Sequence, residues 1–258
     1  MKLNPNFTTD LHIHSSFSHD SEELTENYVI EAIRRGENRI GFVQHYDYDC
    51  HLVGDNTPLC DIDAYRNEIL RLRDKYHTQI VILFGIEFGF DKRAEEHYAE
   101  VVAKYNFDYV INSVHLIVDK DCCYPSVWEK RTPQDVYKIY LDNLHNSVRY
   151  SFPWQIVGHI GYPMRYAPCG AKLHYDDFSK ELDEILKLII VQNKILEINS
   201  STKGRGISLP NDEILQRYCE LGGKLVSFGS DAHSVERYEE KLDKVKAIIE
   251  KYKFICMG

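Results

Sequence analysis

No stretch of the 258 residues approaches the roughly 18 consecutive apolar positions that a membrane-spanning helix requires. The longest apolar runs, such as residues 80–84, have the length of buried strands. Residues 1–10 lack the basic stretch followed by an apolar one that marks a secretory leader, so none is expected. No C-x-x-C pair occurs among Cys50, Cys60, Cys122, Cys123, Cys169, Cys219 and Cys256, and their number is odd. That excludes a zinc ribbon or a complete disulfide framework and predicts a reduced, cytoplasmic chain. The adjacent Cys122 and Cys123 read as loop residues without a role of their own. A cationic excess is missing too: 31 Lys and Arg stand against 40 Asp and Glu, a net charge of -9. This argues against a nucleic-acid partner, because phosphate backbones are held mainly by Lys and Arg. A small phosphorylated substrate stays open, since bound metal ions reverse the charge locally. There is no Gly/Ser/Pro-rich linker, low-complexity tract or repeat, so residues 1–258 are expected to form one domain.

What is present is a rhythm. Seven short apolar or β-branched runs occupy residues 7–13, 40–44, 80–88, 109–114, 155–158, 194–198 and 224–228. Segments of helical periodicity separate them, at about 24–35, 63–76, 94–105, from Thr132 onward, 177–193, from Asn211 to Gly222, and 235–252. Thr132-Pro133-Gln134-Asp135 is a helix start: a Thr cap, Pro at the first helical position, and an acid at the positive end of the dipole. Asn211 caps the sixth helix in the same way, and Gly36 suits the end of the first. Strand then helix, repeated seven times, predicts parallel strands joined by right-handed crossovers.

The strand ends decide between an open sheet and a barrel. They carry His12 and His14, His45, Glu87, His115, His159, Glu197 with Asn199, and Asp231 with His233. In a parallel barrel all C-terminal strand ends open on one face, so these residues would converge, whereas edge strands of an open sheet would hold theirs apart. His12 and His14 are two apart and share one face of a strand, the spacing needed to chelate one ion. Asp231 and His233 repeat it on the last strand. Imidazole with carboxylate suits Zn, Mn or Fe, and a carboxylate such as Glu87 can bridge two cations where a neutral imidazole cannot.

As a set, Asp10-Leu11-His12-Ile13-His14, Glu87, His115, His159 and Ser230-Asp231-Ala232-His233 resemble the motifs of the PHP (polymerase and histidinol phosphatase) superfamily. The resemblance implies an α/β fold, a distorted seven-stranded (β/α)7 TIM-like barrel, with a trinuclear metal centre. It implies that His12, His14, Glu87 and Asp231 hold a first ion and Glu87, His115 and His159 a second. The third falls to His45, His233 and Asp20. Asp20 departs from the His found there in other members, and the neighbouring His19 is the alternative. Gln44 stands where Asp or Glu often precedes the second-motif His, which puts a supporting contact in doubt.

The segments 44–49, 158–166 and 196–201 look like the histidinol phosphatase branch. What that implies is hydrolysis of L-histidinol phosphate by a hydroxide held between metals, through a loose, highly charged transition state. The same resemblance puts phosphate-binding arginines in the loops after the fifth and sixth strands, Arg165 and Arg205, with Lys203 as a substitute for Arg205. Either Asp231 or His233 would relay the leaving group's proton. The alternative activity is hydrolysis of another phosphomonoester or a short oligonucleotide, because the metal motifs are shared. A non-catalytic barrel would show a broken ligand set, and none of the set is missing. An amidohydrolase would want a Lys at a strand end, and no strand here ends in Lys.

Overall fold

Every strand pairing is parallel, as the alternation of strand and helix demands. The computed structural model describes residues 9–54 and 56–258. Among these the strands are β1 (Arg39–Phe42), β2 (His45–Tyr46), β3 (Val81–Gly89), β4 (Tyr109–Ser113), β5 (Ile156–Val157), β6 (Ile195–Asn199), β7 (Leu225–Gly229) and β8 (Ile255–Cys256). The helices are α1 (Thr25–Arg34), α2 (Tyr48–Leu52), α3 (Ile62–Tyr76), α4 (Glu95–Tyr105), α5 (Pro133–Ser147), α6 (Ser179–Val191), α7 (Asp212–Glu220) and α8 (Leu242–Tyr252). None of them is long and apolar enough to cross a membrane.

The strands run in the order β1-β3-β4-β5-β6-β7-β8, with β2 continuing beside β3 beyond the end of β1. Residues 10–14 join the two edges. On one side the amide of Leu11 donates to Phe228 O (3.0 Å), that of His14 to Ala232 O (2.9 Å), and that of Asp231 to His12 O (2.8 Å). On the other, the amides of Gly41 and Val43 donate to Asp10 O and Ile13 O, both at 3.0 Å. The result is a distorted α/β barrel. Its closing strand is shared: residues 10–14 lie beside the C-terminal end of β7, and β8 pairs with its N-terminal end through Leu225↔Ile255 and Val226↔Cys256.

Most elements fall where the sequence predicts them, and five do not. Of the first expected run, 7–13, residues 7 and 8 lie outside the described residues. The remainder forms isolated bridges at Asp10 and Ile13 rather than a continuous ladder. The run 40–44 divides into β1 and β2, both paired with β3. The short α2 and β8 were not anticipated, being too brief to show a period. The last helix begins at Leu242 rather than 235, because Glu239 and Lys241 adopt left-handed backbone (φ 54° and 62°) after a single turn at Val235–Arg237. The cap predicted for α5 is present in full: Thr132 and Asp135 each accept the other's backbone amide, and Asn211 caps α7 through Ile214 N.

Two apolar clusters hold the layers. The larger lies between strands and helices and includes Ile86, Phe88, Val157, Leu196 and Ile198 with Tyr65, Ile69, Tyr140 and Ile185. The smaller fills the base of the barrel: Leu11, Val43, Tyr109, Ile111, Ile156 and Ile195, with Leu83, Leu225 and Met257 against it. Tyr109 is its centre, and its hydroxyl reaches the carbonyls of Leu11 (2.8 Å) and Phe42 (3.1 Å) at the seam. Its ring fits because position 85 is glycine. A Cβ there would stand 2.5 Å from Tyr109 Cζ. Gly85→Ala should therefore destabilise the barrel by about 1–3 kcal/mol through overpacking, read as a lower denaturation midpoint at unchanged m-value.

Candidate metal centre

Alternate residues of a strand share a face, so each strand's inner series can be read along its length. On β3 it is Leu83, Gly85, Glu87; on β4 Tyr109, Ile111, Ser113; on β6 Ile195, Glu197, Asn199. Each series is apolar at the base and polar at the C-terminal end. The barrel core thus passes directly into a floor of ionisable groups.

Two groups of donor atoms share Glu87. His12 Nε2 and His14 Nε2 lie 3.0 Å apart. Glu87 Oε2 is 3.3 and 3.5 Å from them, and Asp231 Oδ1 is 3.7 and 3.3 Å away. The other oxygen, Oε1, faces His159 Nε2 at 3.0 Å and His115 Nε2 at 3.5 Å, and those two nitrogens are 3.4 Å apart. Two ligands of one ion with bonds of about 2.0–2.1 Å stand about 3.0–3.4 Å apart, which these nitrogen pairs match. A third group surrounds Asp20 Oδ2, 3.0 Å from His233 Nε2 and 3.7 Å from His45 Nε2. His14 stacks between the rings of His45 (4.1 Å) and His233 (4.4 Å). His19 lies at the cavity edge with its ring 5.5 Å from that of His45, and the carboxylate of Asp20 is the group that reaches the histidine nitrogens.

The imidazoles are aimed from behind. Glu197 Oε1 takes the Nδ1 proton of His12 at 2.6 Å, which leaves Nε2 a lone pair toward the donor group. Glu197 Oε2 accepts from the amide of His159 (2.6 Å) and from Asn199 Nδ2 (3.2 Å). Gly229 makes room for this carboxylate: a Cβ there would meet Glu197 Oε1 at 2.2 Å and His12 Cβ at 2.6 Å. Ser18 Oγ lies 3.1 Å from His14 Nδ1 and donates to Gln44 Oε1 at 2.8 Å. Gln44 therefore keeps a supporting role in place of the expected acid, through the loop that carries Ser15 and Ser18. Asp47 Oδ1 sits 3.3 Å from His115 Nδ1, and Ser113 Oγ donates to Glu87 Oε1 at 2.6 Å. Asp10 touches no imidazole. Its Oδ1 accepts the amides of His12 (3.1 Å) and Ser230 (3.0 Å), tying the first segment to the turn after β7.

Electrostatically the cluster is a cage for positive charge. Burial opposes a charge on His12, but the carboxylates of Glu197, Glu87 and Asp231 outweigh it and hold its pKa well above the usual imidazole value. Burial likewise opposes charge on His45, yet Asp47, Glu87 and Asp20 carry it up to about 10. Burial drives His14 down to about 3, with His45 and His233 repelling a further charge. Burial alone would raise Glu87 and Asp231. His12 and His45 pull the first well below the carboxylate range, and Arg165 and His12 pull down the second. The carboxylates thus favour positive charge at His12 and His45, the place a metal ion would take. Glu87 Oε2 and His233 Nε2 are buried with close ionic neighbours, His45 Nδ1 and Asp20 Oδ2 at 3.0 Å each, but without a well-aligned hydrogen bond among the described residues. Buried polar atoms with poorly aligned partners are costly, and divalent ions at these three groups would satisfy them. The residues fit a multinuclear metal site.

A cavity of about 440 Å³ opens above, lined also by Asp47, Asp121, Tyr162, Arg165, Tyr166, Lys203 and Arg237. Arg165 is buried in its wall. One guanidinium nitrogen, Nη2, binds Asp231 Oδ2 (2.6 Å) and Asn199 Oδ1 (2.9 Å), while Nε has no partner among the described residues. Arg205 is a correction. It points away from the metal groups, donates to the carbonyls of Met164 and Ala167, and lines a separate cavity beside Ile207 and Ile248. The backbone turn at Lys203 and Gly204 (φ 48° and 79°) carries it past the rim, and Lys203 takes the place in the metal cavity. Arg237 reaches the same cavity from the turn before α8, and no pattern in the sequence marks it. The roles of Glu197 and Asp47 were missed as well. Both follow from parity, since each shares a face with an active-side residue two positions away, Asn199 and His45.

Glu197→Gln places an amide N–H against the donors of His159 and Asn199 and weakens the hold on His12. Metal affinity should fall about 10–100-fold, as second-layer carboxylate losses do. Competition with a chromophoric chelator measures it, and wild-type retention would remove Glu197 from the supporting set.

Comparison with known proteins gives the same fold and a family. The PHP domain family matches residues 10–201. A protein of Clostridium acetobutylicum named "probable histidinol-phosphatase" is 31% identical over 229 residues, 87% of this chain and 86% of its own length. The histidinol-phosphatase of Lactococcus lactis is 31% identical over 256 residues, 95% of this chain and 91% of its own. The crystal structure of histidinol phosphate phosphatase from Lactococcus lactis, complexed with zinc, L-histidinol and phosphate, superposes with a TM-score of 0.85 at 29% identity, covering 97% of this chain and 95% of that one. With its seven-run rhythm, its closed barrel and its shared Glu87, the chain belongs to the PHP domain family.

Proposed function

We propose that this chain hydrolyses L-histidinol phosphate to L-histidinol and inorganic phosphate with divalent metal ions as cofactors. The observation that carries the reading is the division of the two Glu87 oxygens between two donor groups beneath a cavity whose wall holds Arg165. The relatives of the same length named histidinol-phosphatase, and the zinc, L-histidinol and phosphate held by the Lactococcus structure, support the substrate. A cavity of about 440 Å³ suits a small monoester.

In this reading His12, His14, Glu87 and Asp231 hold one ion, Glu87, His115 and His159 a second, and His45, His233 and Asp20 a third. Zn, Mn or Fe suits such a donor set. Bound ions neutralise phosphoryl oxygens and acidify water. Arg165 binds a non-bridging oxygen through its free Nε, with its plane already fixed by Asp231 and Asn199. The proton for the leaving alkoxide falls to Asp231 or His233 at the cavity; Asp231 Oδ2 is held by Arg165 (2.6 Å), which keeps its carboxyl well below the usual range, and His233 is half-buried at the cavity wall. We also place the chain in a reducing, cytoplasmic compartment, supported by an odd number of cysteines with no C-x-x-C pair. We take it as one domain, supported by a barrel strand shared between residues 10–14 and β8.

Phosphate release is the test, with L-histidinol phosphate, a sugar phosphate, p-nitrophenyl phosphate and a short oligonucleotide offered to the Zn- or Mn-loaded protein. A kcat/KM highest for L-histidinol phosphate is expected; a higher value on another compound overturns the substrate and keeps the metal chemistry. Arg165→Ala should lose about 10–100-fold in kcat/KM, the scale of charge-assisted hydrogen bonds, with metal content retained by elemental analysis. Kinetics like the wild type would sink its phosphate role.

A further inference from the structure

We propose that Asp121 binds the substrate's ammonium group, a primary amine on the second carbon from the phosphoester oxygen; the assignment rests on the phosphomonoester reading above. Four carboxylates line the metal cavity: Asp20, Asp47, Asp121 and Asp231. Three are committed. Asp20 faces His233 at 3.0 Å, Asp47 faces His115 at 3.3 Å and His45 at 3.6 Å, and Asp231 holds Arg165 at 2.6 Å. Asp121 forms no ion pair among the described residues. Its oxygens accept from the Cys123 amide (2.6 Å) and from the Tyr162 hydroxyl (3.2 and 3.1 Å). A carboxylate has about four lone-pair sites, so Asp121 keeps capacity for a cation at the cavity wall.

Tyr162 sets where that capacity lies. Its ring is 5.0 Å from the ring of His159 and 5.1 Å from that of His115, the two imidazoles that face Glu87 Oε1. The guanidinium of Arg165 lies 5.0 Å from the ring centroid, and the hydroxyl at the far end meets Asp121. One phenol side chain thus has a phosphate-binding cation over its ring and a carboxylate without a counter-ion at its tip. A monoester with an ammonium on the second carbon has its two charges about 4–5 Å apart by ordinary bond lengths. With phosphate at Arg165 and the His115–His159 pair, the ammonium falls toward the Tyr162 hydroxyl. There it donates a charge-assisted hydrogen bond to the Asp121 carboxylate and has the aromatic rings of Tyr162 and Tyr166 beside it.

The test compares L-histidinol phosphate with 3-(imidazol-4-yl)propyl phosphate, which differs by the amine alone, on the metal-loaded protein and its D121N variant. Asn can still accept from Tyr162, so the wall is kept and the charge is lost. The wild type should prefer the amine-bearing ester, and D121N should reduce the kcat/KM ratio of the two esters roughly 10–100-fold, mostly through KM. A ratio that survives in D121N, with both esters slowed together, would make Asp121 a support for Tyr162 and overturn the proposal. Tyr162→Phe separates these cases, because it removes the hydroxyl and leaves the charge, and should preserve most of the ratio. Loss of the ratio in Tyr162→Phe as large as in D121N also overturns the proposal. A wild type with no preference between the esters refutes the substrate reading itself, before any variant is made.

Discussion

An ionised carboxylate buried at the top of a barrel core is unstable unless positive charge surrounds it, and Glu87 is such a group. It lies on β3, the strand that pairs with β1, β2 and β4, so its position is fixed from three sides. Each neighbouring strand answers with a cation or a potential ligand near its C-terminal end: His45 on β2, His115 after β4, His159 after β5. The first segment supplies His12 and His14, and the turn after β7 supplies Asp231. The charge of Glu87 is what makes convergence of six imidazoles on one floor tolerable, and the imidazoles make its burial tolerable. Divalent ions relieve both sides at once, since they bring the positive charge that the carboxylates favour.

The fold and the metal floor were legible because both are written in short-range periods. A strand's two-residue alternation places His12 with His14 and brings Glu87 in line with the inner face, and helix caps such as Thr132–Asp135 mark where connections begin. What escaped was encoded in turns rather than periods. The left-handed residues at Glu239 and Lys241 delayed α8 and set Arg237 at the cavity. Those at Lys203 and Gly204 exchanged Lys203 for Arg205. Two-residue strands such as β8 carry no period at all. Glu197 stood in plain view at a strand end; its partner, Nδ1 of His12, is 185 positions away, and only the closed ring brings them together.

The charge distribution follows the same division between local and distant. The chain carries a net -9, yet Arg165, Lys203 and Arg237 gather at one cavity from three separate turns. A long-range acidic field discourages polyanions, while a local cationic wall over a metal floor receives a small one. Asp121 then gives that wall a second sign, so that a ligand bearing both charges has one orientation rather than two.

The shared strand position has a consequence for how the molecule comes into being. Residues 10–14 leave the ribosome long before their partners on β7 and the β8 segment that completes the same lane. The seam is therefore among the most non-local contacts in the fold, and closing it carries the loop entropy of all the residues between Asp10 and Phe228. Until the turn after β7 has been made, His12 and His14 have no Asp231 to share an ion with. The complete set of donors around Glu87 therefore belongs to the closed barrel, and ion choice with it.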